Sequence, residues 1–551
     1  NLEATAAILA VLYMVPFALL HILDVVRARL GISGTIRRTL ISALFRRFMS
    51  YKAYERAKIP DADISMACVR DIPVLVSDGF MRIFHLIEVA LRIFVTMIFL
   101  LVENRYAILP FAIYPILAAL WMMWRRPQMQ LLQEKRLQSD NAVVRGVHQA
   151  CTNQDLIQDF KKRSKAVDRF WDYVVANSSS RSACSVFDLN NSRFFPWLTM
   201  ISMVLYIFWG VQQLQQGESS VGTFMATFGI FQEVGHTMET GYDSVITMFQ
   251  AFHLVKDLTK LLNVPTDDED RMQATRLRLQ RGIQEREELQ RKMTVGSSQY
   301  VDDLIDMKII NVKYATQQLQ KSLSTSENIL DGVSFRMPQG KVIVVQGGER
   351  QGKSTLLRLI AGELPPTSGE VFIPPHLTVL QVHEAPSFIP GSLKRNLLFG
   401  ISGGDDEQML GDITRVVGIC ERLRMAQSLI SRLHQDWMSG ADEDDDEWLS
   451  ALTSTDKMTI HLARAFIANP HVLVMHKPLM RFYQEELRKA TMLTITEFVK
   501  YRGLGLNNAP DEITKRRTRT VVLSQFHSLE LDHAEMVFQL KNGQVLQNQA
   551  P

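Results

Sequence analysis

Five long apolar segments fill the N-terminal half of this chain. The first, residues 4–23, runs for twenty residues without a charge. A helix of that length crosses the roughly 30 Å hydrocarbon layer of a membrane. The other segments lie near residues 83–102, 107–124, 194–214 and 221–250. Because a spanning segment must satisfy its own backbone hydrogen bonds, the pattern predicts an all-α transmembrane domain over residues 1–263, surrounded by membrane lipid.

The loops between the segments differ in charge. Residues 24–58 hold nine Arg and Lys residues against two acids, and residues 125–165 carry a second basic set. The loops near 103–106 and 212–220 are short. Positive charge accumulates on the cytosolic or matrix side of a membrane, so both long loops and the C-terminal half are predicted there. The whole-chain charge of +3 gives no argument for a nucleic-acid partner.

Two sets of polar residues at helical spacing lie within or beside the predicted spans. In the first set, Glu88 and Arg92 fit an ordinary i,i+4 ion pair. The second set is Glu233, His236 and Glu239. Ionisable groups at membrane depth are functional candidates, so this second set is a candidate lining of a translocation path.

The composition changes after the last span. Residues 264–302 are charged and Gln-rich with few large apolar groups, which predicts a solvated helix and a linker. Over residues 303–551, short β-rich runs such as 341–347, 471–475 and 520–526 alternate with helical patterns. This alternation predicts an α/β domain with a largely parallel sheet.

The run 341–347 leads into a glycine-rich loop, Gly347-x4-Gly352-Lys353-Ser354, which opens the helical stretch STLLRLIAG. In this Walker A pattern, backbone N–H groups close on phosphates, the lysine binds the β and γ oxygens, and the hydroxyl ligates Mg²⁺. Strand, loop and helix stand in the required order. The loop therefore predicts a site for ATP or ADP, with Ser354 as the metal ligand where Mg²⁺ is bound. Its predicted binding residues are Gly347, Gly348, Gly352, Lys353, Ser354 and Thr355.

The stretches around this loop resemble those of one family. ILDGVSFRMPQGKVIVVQG is similar to the strand pair before Walker A, and HLARAFIANPHVLVM is similar to the helix that runs into Walker B. NAVVRGVHQACTNQDLIQDF resembles a second intracellular loop with its coupling helix, which docks on a nucleotide domain. With its order of spans, linker and α/β domain, the chain resembles a half-transporter of the ATP-binding cassette (ABC) exporter family. Members have six spans per half, and the five here resemble the second to the sixth, so the first is either lost or outside this sequence.

Several positions depart from the family pattern. The two Walker B acids, which hold magnesium and orient the attacking water, are replaced by His476 and Lys477. A lysine does neither task, and imidazole is a poor ligand for Mg²⁺, which prefers oxygen. Glu384 stands at the Q-loop glutamine, and Phe526 stands at the switch histidine, next to His527.

The signature motif LSGGQ of the family falls on Leu452, Thr453, Ser454, Thr455 and Asp456. Its two glycines let backbone amides contact the γ-phosphate of ATP bound by the partner half. Here Ser454 and Thr455 add side chains, and Asp456 adds a negative charge facing phosphate, so each change opposes that contact.

The adenine-stacking aromatic of the family maps to Thr316, with Tyr314 close by as the remaining candidate. Together, the resemblance and the departures predict a protein without ATP hydrolysis that acts as the non-catalytic half of a heterodimeric exporter, beside a second ABC half-transporter. The alternative is a structural or assembly subunit of a larger membrane complex, with the mitochondrial inner membrane as the favoured compartment. An ATP-driven exporter with its own hydrolysis is the third hypothesis.

The charge asymmetry of the loops makes a topology prediction. In a background without the four native cysteines, Glu55→Cys and Asn104→Cys should label from opposite sides of sealed vesicles, because residue 55 lies in a basic loop and residue 104 in a short one. Labelling with a membrane-impermeant thiol reagent measures this. Equal accessibility of the two cysteines would contradict the topology.

Overall fold

The computed structural model describes residues 14–15, 18–19, 21–26, 28–103, 108–215, 220–292, 301–315, 328–401, 409–439 and 447–548. The predicted span 4–23 lies largely outside these residues, and Thr316 lies outside them. The chain forms two compact units, Asn1–Asp267 and Asp268–Pro551.

In its described residues, the regular structure of the first unit is helical apart from one isolated bridge, between Tyr51 and Thr266. Its helices are Ile32–Met49, Ala53–Arg56, Asp61–Met66, Ile72–Val74, Met81–Glu103, Ile108–Thr152, Gln154–Asp159, Arg163–Ser192, Phe194–Gln215 and Val221–Leu262, with π-helical turns at Ala67–Asp71 and Leu75–Phe80. The helix Ile108–Thr152 has 45 residues. At 1.5 Å per residue it is about 65 Å long, roughly twice the thickness of a bilayer core.

Close helix packing in this unit depends on small residues. A Cβ added at Gly235 would lie 2.3 Å from Oγ1 of Thr199, and one added at Gly241 would lie 2.8 Å from Cγ1 of Val89. Both glycines belong to the helix Val221–Leu262. Their missing side chains let this helix pack against two neighbouring helices, as small residues do between membrane helices.

One predicted span also satisfies a test of length and apolar character. Within the described residues, the helical run Arg163–Gln212 is long and apolar enough to cross a membrane. It contains most of the predicted span 194–214. The other spans and the topology remain predictions.

The polar residues of the spans take two different positions. Nη2 of Arg92 lies 2.9 Å from Oε1 of Glu88, which confirms the predicted i,i+4 pair. Glu233 and His236 lie on the exposed side of their helix, and Nδ1 of His236 is 3.8 Å from Oε2 of Glu239. This second set therefore faces away from the helices packed within the same unit.

The segment that resembles a coupling helix is a short helix, Gln154–Asp159, between the two long helices Ile108–Thr152 and Arg163–Ser192. Leu156 and Phe160 are exposed at this turn, at 56% and 67%. Exposed apolar groups at a helical turn are typical of docking surfaces. The predicted contact with a nucleotide domain remains a prediction.

The second unit is an α/β domain with two sheets. Its strands are β1 Met307–Tyr314, β2 Leu330–Met337, β3 Val342–Gly347, β4 Ser368–Phe372, β5 Val379–Val382, β6 Val472–Met475, β7 Thr520–Ser524, β8 Met536–Lys541 and β9 Gln544–Asn548. The larger sheet has the order β5-β6-β7-β3-β8-β9, parallel except for the last pair, and the smaller one is the antiparallel β2-β1-β4. The fold class predicted from the sequence, a helical transmembrane-type domain followed by an α/β domain, is confirmed.

Helices cover both faces of the larger sheet, as a parallel sheet requires. The helices of this unit are Asp268–Lys292, Lys353–Ile360, Leu393–Leu398, Ile413–Arg422, Gln427–Ser439, Glu447–Ala451, Ser454–Ile467, Glu485–Lys500, Pro510–Thr514 and Leu529–Asp532, with a 3₁₀ turn at Val301–Leu304. The first of them lies in the segment predicted as a linker. It is anchored to the smaller sheet by ion pairs of Lys308 with Glu285 and of Arg281 with Glu370.

A buried arginine closes the end of the helix Ser454–Ile467. Arg415 is 5% exposed, and its guanidinium donates to the carbonyls of Phe466 and Ile467 at 3.2 and 3.1 Å. It also donates to the carbonyl of Leu504 at 2.9 Å. The last carbonyls of a helix have no hydrogen-bond donor within the helix, so the guanidinium satisfies them. Its positive charge also interacts favourably with the negative end of the helix dipole. Burial lowers the pKa of Arg415 to about 10, which leaves it charged at neutral pH.

We expect Arg415→Leu to destabilise the second unit by about 3 kcal/mol, because buried carbonyls lose charged donors. That corresponds to a fall of about 6–12 °C in the melting temperature of a domain of this size. Arg422→Leu is the matched control in the same helix: its partner Glu497 is 3.8 Å away and its side chain is 41% exposed, so the melting temperature should barely change. Equal shifts in the two variants would contradict the structural role of Arg415.

Candidate functional site

The predicted phosphate loop connects β3 to the helix Lys353–Ile360. Gly352 begins this helix with φ of +92°, a conformation that favours glycine. A Cβ at Gly352 would also lie 2.9 Å from Cγ2 of Ile329. Both the backbone conformation and the lack of space therefore favour glycine at this position. The amide of Gly348 donates to Oε1 of Gln351 at 3.0 Å, which closes the loop on itself. Strand, loop and helix have the arrangement that binds phosphate in P-loop proteins.

Lys353 lies over this loop. Its ammonium donates to the carbonyl of Gly348 at 2.9 Å and to that of Gly347, and the residue is 9% exposed. Burial lowers the pKa of Lys353, and the positive charge of Lys477 lowers it further, while Glu349 opposes the shift. The side chain is therefore held where phosphate oxygens would meet the loop.

The other predicted nucleotide residues lie around the start of the same helix. Ser354 is exposed, and Thr355 is half-buried. Tyr314 ends β1 opposite Leu330 of β2. The carbonyl of Tyr314 accepts from the amide of Ile329 at 2.8 Å, and Ile329 is the residue against which Gly352 packs. The structure thus brings Tyr314 to the neighbourhood of the phosphate loop.

His476 and Lys477 follow β6 and share one partner. Nδ1 of His476 lies 2.9 Å from Oγ of Ser524, and the amide of Lys477 donates to the same oxygen at 2.9 Å. The hydroxyl of Ser524 therefore bridges the amide of Lys477 and the imidazole of His476. Burial lowers the pKa of His476 and the nearby lysines lower it further, although Glu384 opposes them.

Glu384 lies on the other side of this imidazole. Its Oε2 is 3.7 Å from Nε2 of His476, and its backbone carbonyl accepts from Nε of Arg481 at 3.1 Å. The residues predicted at the Q-loop position and at the first Walker B position therefore lie side by side.

The segment after β7 is held by a buried acid. Oε2 of Glu530, which is fully buried, accepts from the amides of Phe526 at 2.9 Å and of His527. Phe526 is 42% exposed, and its ring centre is 5.8 Å from Nζ of Lys477. Nε2 of His527 is 3.2 Å from Nη1 of Arg488, so this neighbouring histidine is engaged elsewhere.

These residues do not fit a magnesium ion. Mg²⁺ requires oxygen ligands, usually carboxylates. At the Walker B positions the chain has an ammonium group and an imidazole whose Nδ1 is bonded to Ser524. Over the parts of the chain that the structure describes, no group of three or more His, Cys, Asp or Glu residues is placed to hold a metal ion.

The residues at the signature position form a helix cap. Oγ1 of Thr453 accepts from the amide of Asp456 at 3.2 Å, and Oδ2 of Asp456 accepts from the amide of Thr453 at 3.2 Å and from its hydroxyl at 2.6 Å. Leu452 is half-buried, Ser454 is exposed, and Oγ1 of Thr455 donates to the carbonyl of Arg481 at 3.1 Å. This capping box satisfies amides at the start of the helix Ser454–Ile467 with groups of the chain itself.

The sequence did not reveal Ser524, Glu530 or Arg481 as members of this site. Ser524 closes an apolar strand next to Walker B, and its pairing depends on strand order. The spacing Thr453-x-x-Asp456 is a capping signal, and it would have predicted the cap.

The strand, loop and helix define a P-loop nucleotide-binding domain, and the sequence model described as "ABC transporter" matches residues 330–479. The whole chain resembles a bacterial Atm1-family ABC exporter solved with ATP bound, with a TM-score of 0.73 and 14% identity over 96% of this chain and 84% of that one. The chain therefore has the fold of an ABC exporter half-transporter.

Curated relatives match over shorter stretches. An aliphatic sulfonates import ATP-binding protein of Mesorhizobium japonicum is 32% identical over 160 residues, which are 27% of this chain and 52% of that protein. Multidrug resistance protein 1 of Entamoeba histolytica is 26% identical over 248 residues, 44% of this chain and 17% of that protein. The chain thus spans about half the length of the sulfonate-import protein and less of the multidrug resistance protein.

The capping box makes a stability prediction. Thr453→Ala should destabilise the helix Ser454–Ile467 by about 1 kcal/mol, because an N-cap side chain is lost. Hydrogen exchange of the amides in the first turn should accelerate about fivefold, and Asp456→Ala in the same chain should add little, since the two residues act as one unit. Ser450→Ala, which removes a contact outside the helix, is the control. Additive effects of the two substitutions would contradict the reciprocal cap.

Proposed function

We propose that this chain is the non-catalytic half of a heterodimeric ABC exporter: it binds nucleotide at the phosphate loop and does not hydrolyse it. The observation that carries the proposal is the pair His476 and Lys477 at the end of β6. The exporter fold of the whole chain supports the transport side of the proposal, and the match of residues 330–479 to the ABC transporter family supports nucleotide binding.

Hydrolysis fails at this site because the attacking water has no base. In phosphoryl transfer a carboxylate or an equivalent group orients the water, and a metal neutralises the developing charge. Lys477 as an ammonium accepts no proton. Nδ1 of His476 is occupied by Ser524, and Nε2 lies 3.7 Å from Oε2 of Glu384. The two residues after β6 therefore supply neither a group that orients the attacking water nor a carboxylate that holds the metal.

Nucleotide binding survives because its groups differ from those of hydrolysis. The loop amides, the start of the helix Lys353–Ile360 and the ammonium of Lys353 bind phosphate through charge and hydrogen bonds. Gly347, Gly348 and Gly352 keep the backbone open to a ligand, and Ser354 and Thr355 are the first hydroxyls of the helix. Tyr314 is the candidate for stacking on the base. ATP or ADP is the proposed ligand.

The capping box favours a second candidate function, a structural or assembly subunit of a larger membrane complex. Nucleotide domains of exporters normally share each ATP between the phosphate loop of one half and the signature of the other. Here Asp456 places a carboxylate at the start of the signature helix. Binding of ATP between this helix and a partner's phosphate loop is therefore weakened as well. This favours a structural subunit of a membrane complex, for example in the mitochondrial inner membrane.

What purifies with the full chain separates these two functions. Affinity purification from native membranes in mild detergent, followed by mass spectrometry, should recover a second ABC half-transporter in equal amount if the chain is half of an exporter. Recovery of an unrelated multi-subunit assembly without any ABC protein would favour the scaffold and contradict the exporter.

The proposal also predicts the behaviour of the purified chain. It should show no ATPase activity above background, and Lys477→Glu should not restore activity, because His476, Glu384 and the capped signature helix remain. Lys353→Ala should weaken ATP binding by about tenfold or more through the loss of a charged donor. Phosphate release and ATP binding are the two measurements. ATP turnover by the unmodified chain that Lys353→Ala abolishes would contradict the proposal.

A further inference from the structure

Two ammonium groups face the same end of the larger sheet. Lys353 follows β3, and Lys477 follows β6, two positions away in the strand order β6-β7-β3. Their separation is small enough that the charge of Lys477 lowers the pKa of Lys353. In the ABC pattern the second of these positions is an acid, so the substitution reverses the sign of the charge beside the phosphate loop.

The backbone of Lys477 is fixed where this charge is presented. Its φ is +47°, a left-handed conformation that a residue with a side chain seldom adopts. The amide donates to Oγ of Ser524 at 2.9 Å, which holds that conformation in place. The ammonium lies 5.8 Å from the centre of the Phe526 ring, and among the residues that the structure describes it forms no ion pair.

We propose that the site binds a nucleoside di- or triphosphate in its metal-free form, with the ammonium of Lys477 supplying positive charge that Mg²⁺ supplies in an ordinary ABC site. This rests on the proposed nucleotide binding at the phosphate loop. The ligand is recognised by two ammonium groups and the loop amides, and no divalent cation is required.

The net charge of the nucleotide determines whether it binds more tightly with or without magnesium. A metal-free nucleotide carries more negative charge than its magnesium complex, so two ammonium groups attract it more strongly. A magnesium ion would have to lie near Lys477 without the two carboxylates that normally offset its charge. Magnesium is therefore expected to compete with the protein for the nucleotide and to weaken binding.

Glu384 is the acid that could reverse this conclusion, because a carboxylate at the Q-loop position is an oxygen ligand. Its Oε2 lies 3.7 Å from Nε2 of His476. We therefore assign Glu384 to the histidine, and Glu384→Gln should leave the effect of magnesium unchanged.

Equilibrium binding of radiolabelled ATP to the purified full chain tests the inference. Binding is measured with excess EDTA and with excess magnesium chloride at the same ionic strength. The unmodified chain should bind ATP in EDTA at least as tightly as in magnesium. Lys477→Glu should weaken binding in EDTA by about tenfold or more, because a favourable charge becomes a repulsive one.

Control variants test whether a change in ATP affinity is specific to Lys477. Lys515→Glu reverses the charge of an exposed lysine paired with Glu512 and should leave ATP affinity unchanged in both solutions. Lys477→Gln removes the charge with a smaller perturbation and should lower the affinity in EDTA to an intermediate value. The melting temperature of each variant reports whether it is folded, and the comparison of EDTA with magnesium on the unmodified chain needs no variant.

The possible outcomes separate this inference from the proposed function. ATP binding that requires magnesium and disappears in EDTA would overturn the metal-free site while leaving nucleotide binding intact. A magnesium-dependent gain in affinity that is lost in Glu384→Gln would overturn it in favour of Glu384 as a metal ligand. The absence of ATP binding in both solutions would overturn the nucleotide-binding function itself, and the metal-free site with it.

Discussion

The parallel register of β6, β7 and β3 is the constraint on which the site depends. Val345 of β3 pairs with Ser524 of β7, and Met475 of β6 pairs with Leu523. Because parallel strands end at the same edge, this register places the phosphate loop, Ser524 and the residues after β6 side by side. The side chains at the predicted Walker B positions are thus held by the same sheet that presents the loop, and their positions follow from strand pairing.

The substituted residues form local interactions with one another. The imidazole of His476 lies between Ser524 and Glu384, and the ammonium of Lys477 lies near the ring of Phe526. An isolated loss of a catalytic acid would leave its former partners with unmatched charge, which is costly at a half-buried position. Here Ser524 and Glu384 lie beside the imidazole, whereas Lys477 has the Phe526 ring and the charge of Lys353 beside it, an arrangement that favours a bound anion.

Sequence patterns predicted the fold class well and the site in part. Apolar segments and alternating strands indicated a helical domain followed by an α/β domain, because both signals are local and periodic. The phosphate loop was predicted for the same reason. The bridge from Ser524 to His476 joins residues 48 positions apart, so it depends on strand order, which no local pattern encodes. Asp456 was interpreted as a charge facing phosphate, whereas the structure shows that its carboxylate bonds to Thr453.

That cap has a thermodynamic consequence. Nucleotide binding and subunit association influence each other only when a group of the protein interacts differently in the nucleotide-bound and nucleotide-free states. The resulting coupling free energy is the same in both directions. The amide of Asp456, in the first turn of the helix Ser454–Ile467, is bonded to Oγ1 of Thr453 whether or not a phosphate is near. A phosphate on a neighbouring subunit would have to displace this bond before it could contact the Asp456 amide, and association through this face would then gain less from nucleotide. Assembly through this face would therefore depend less on the nucleotide level of the cell than assembly through an uncapped helix.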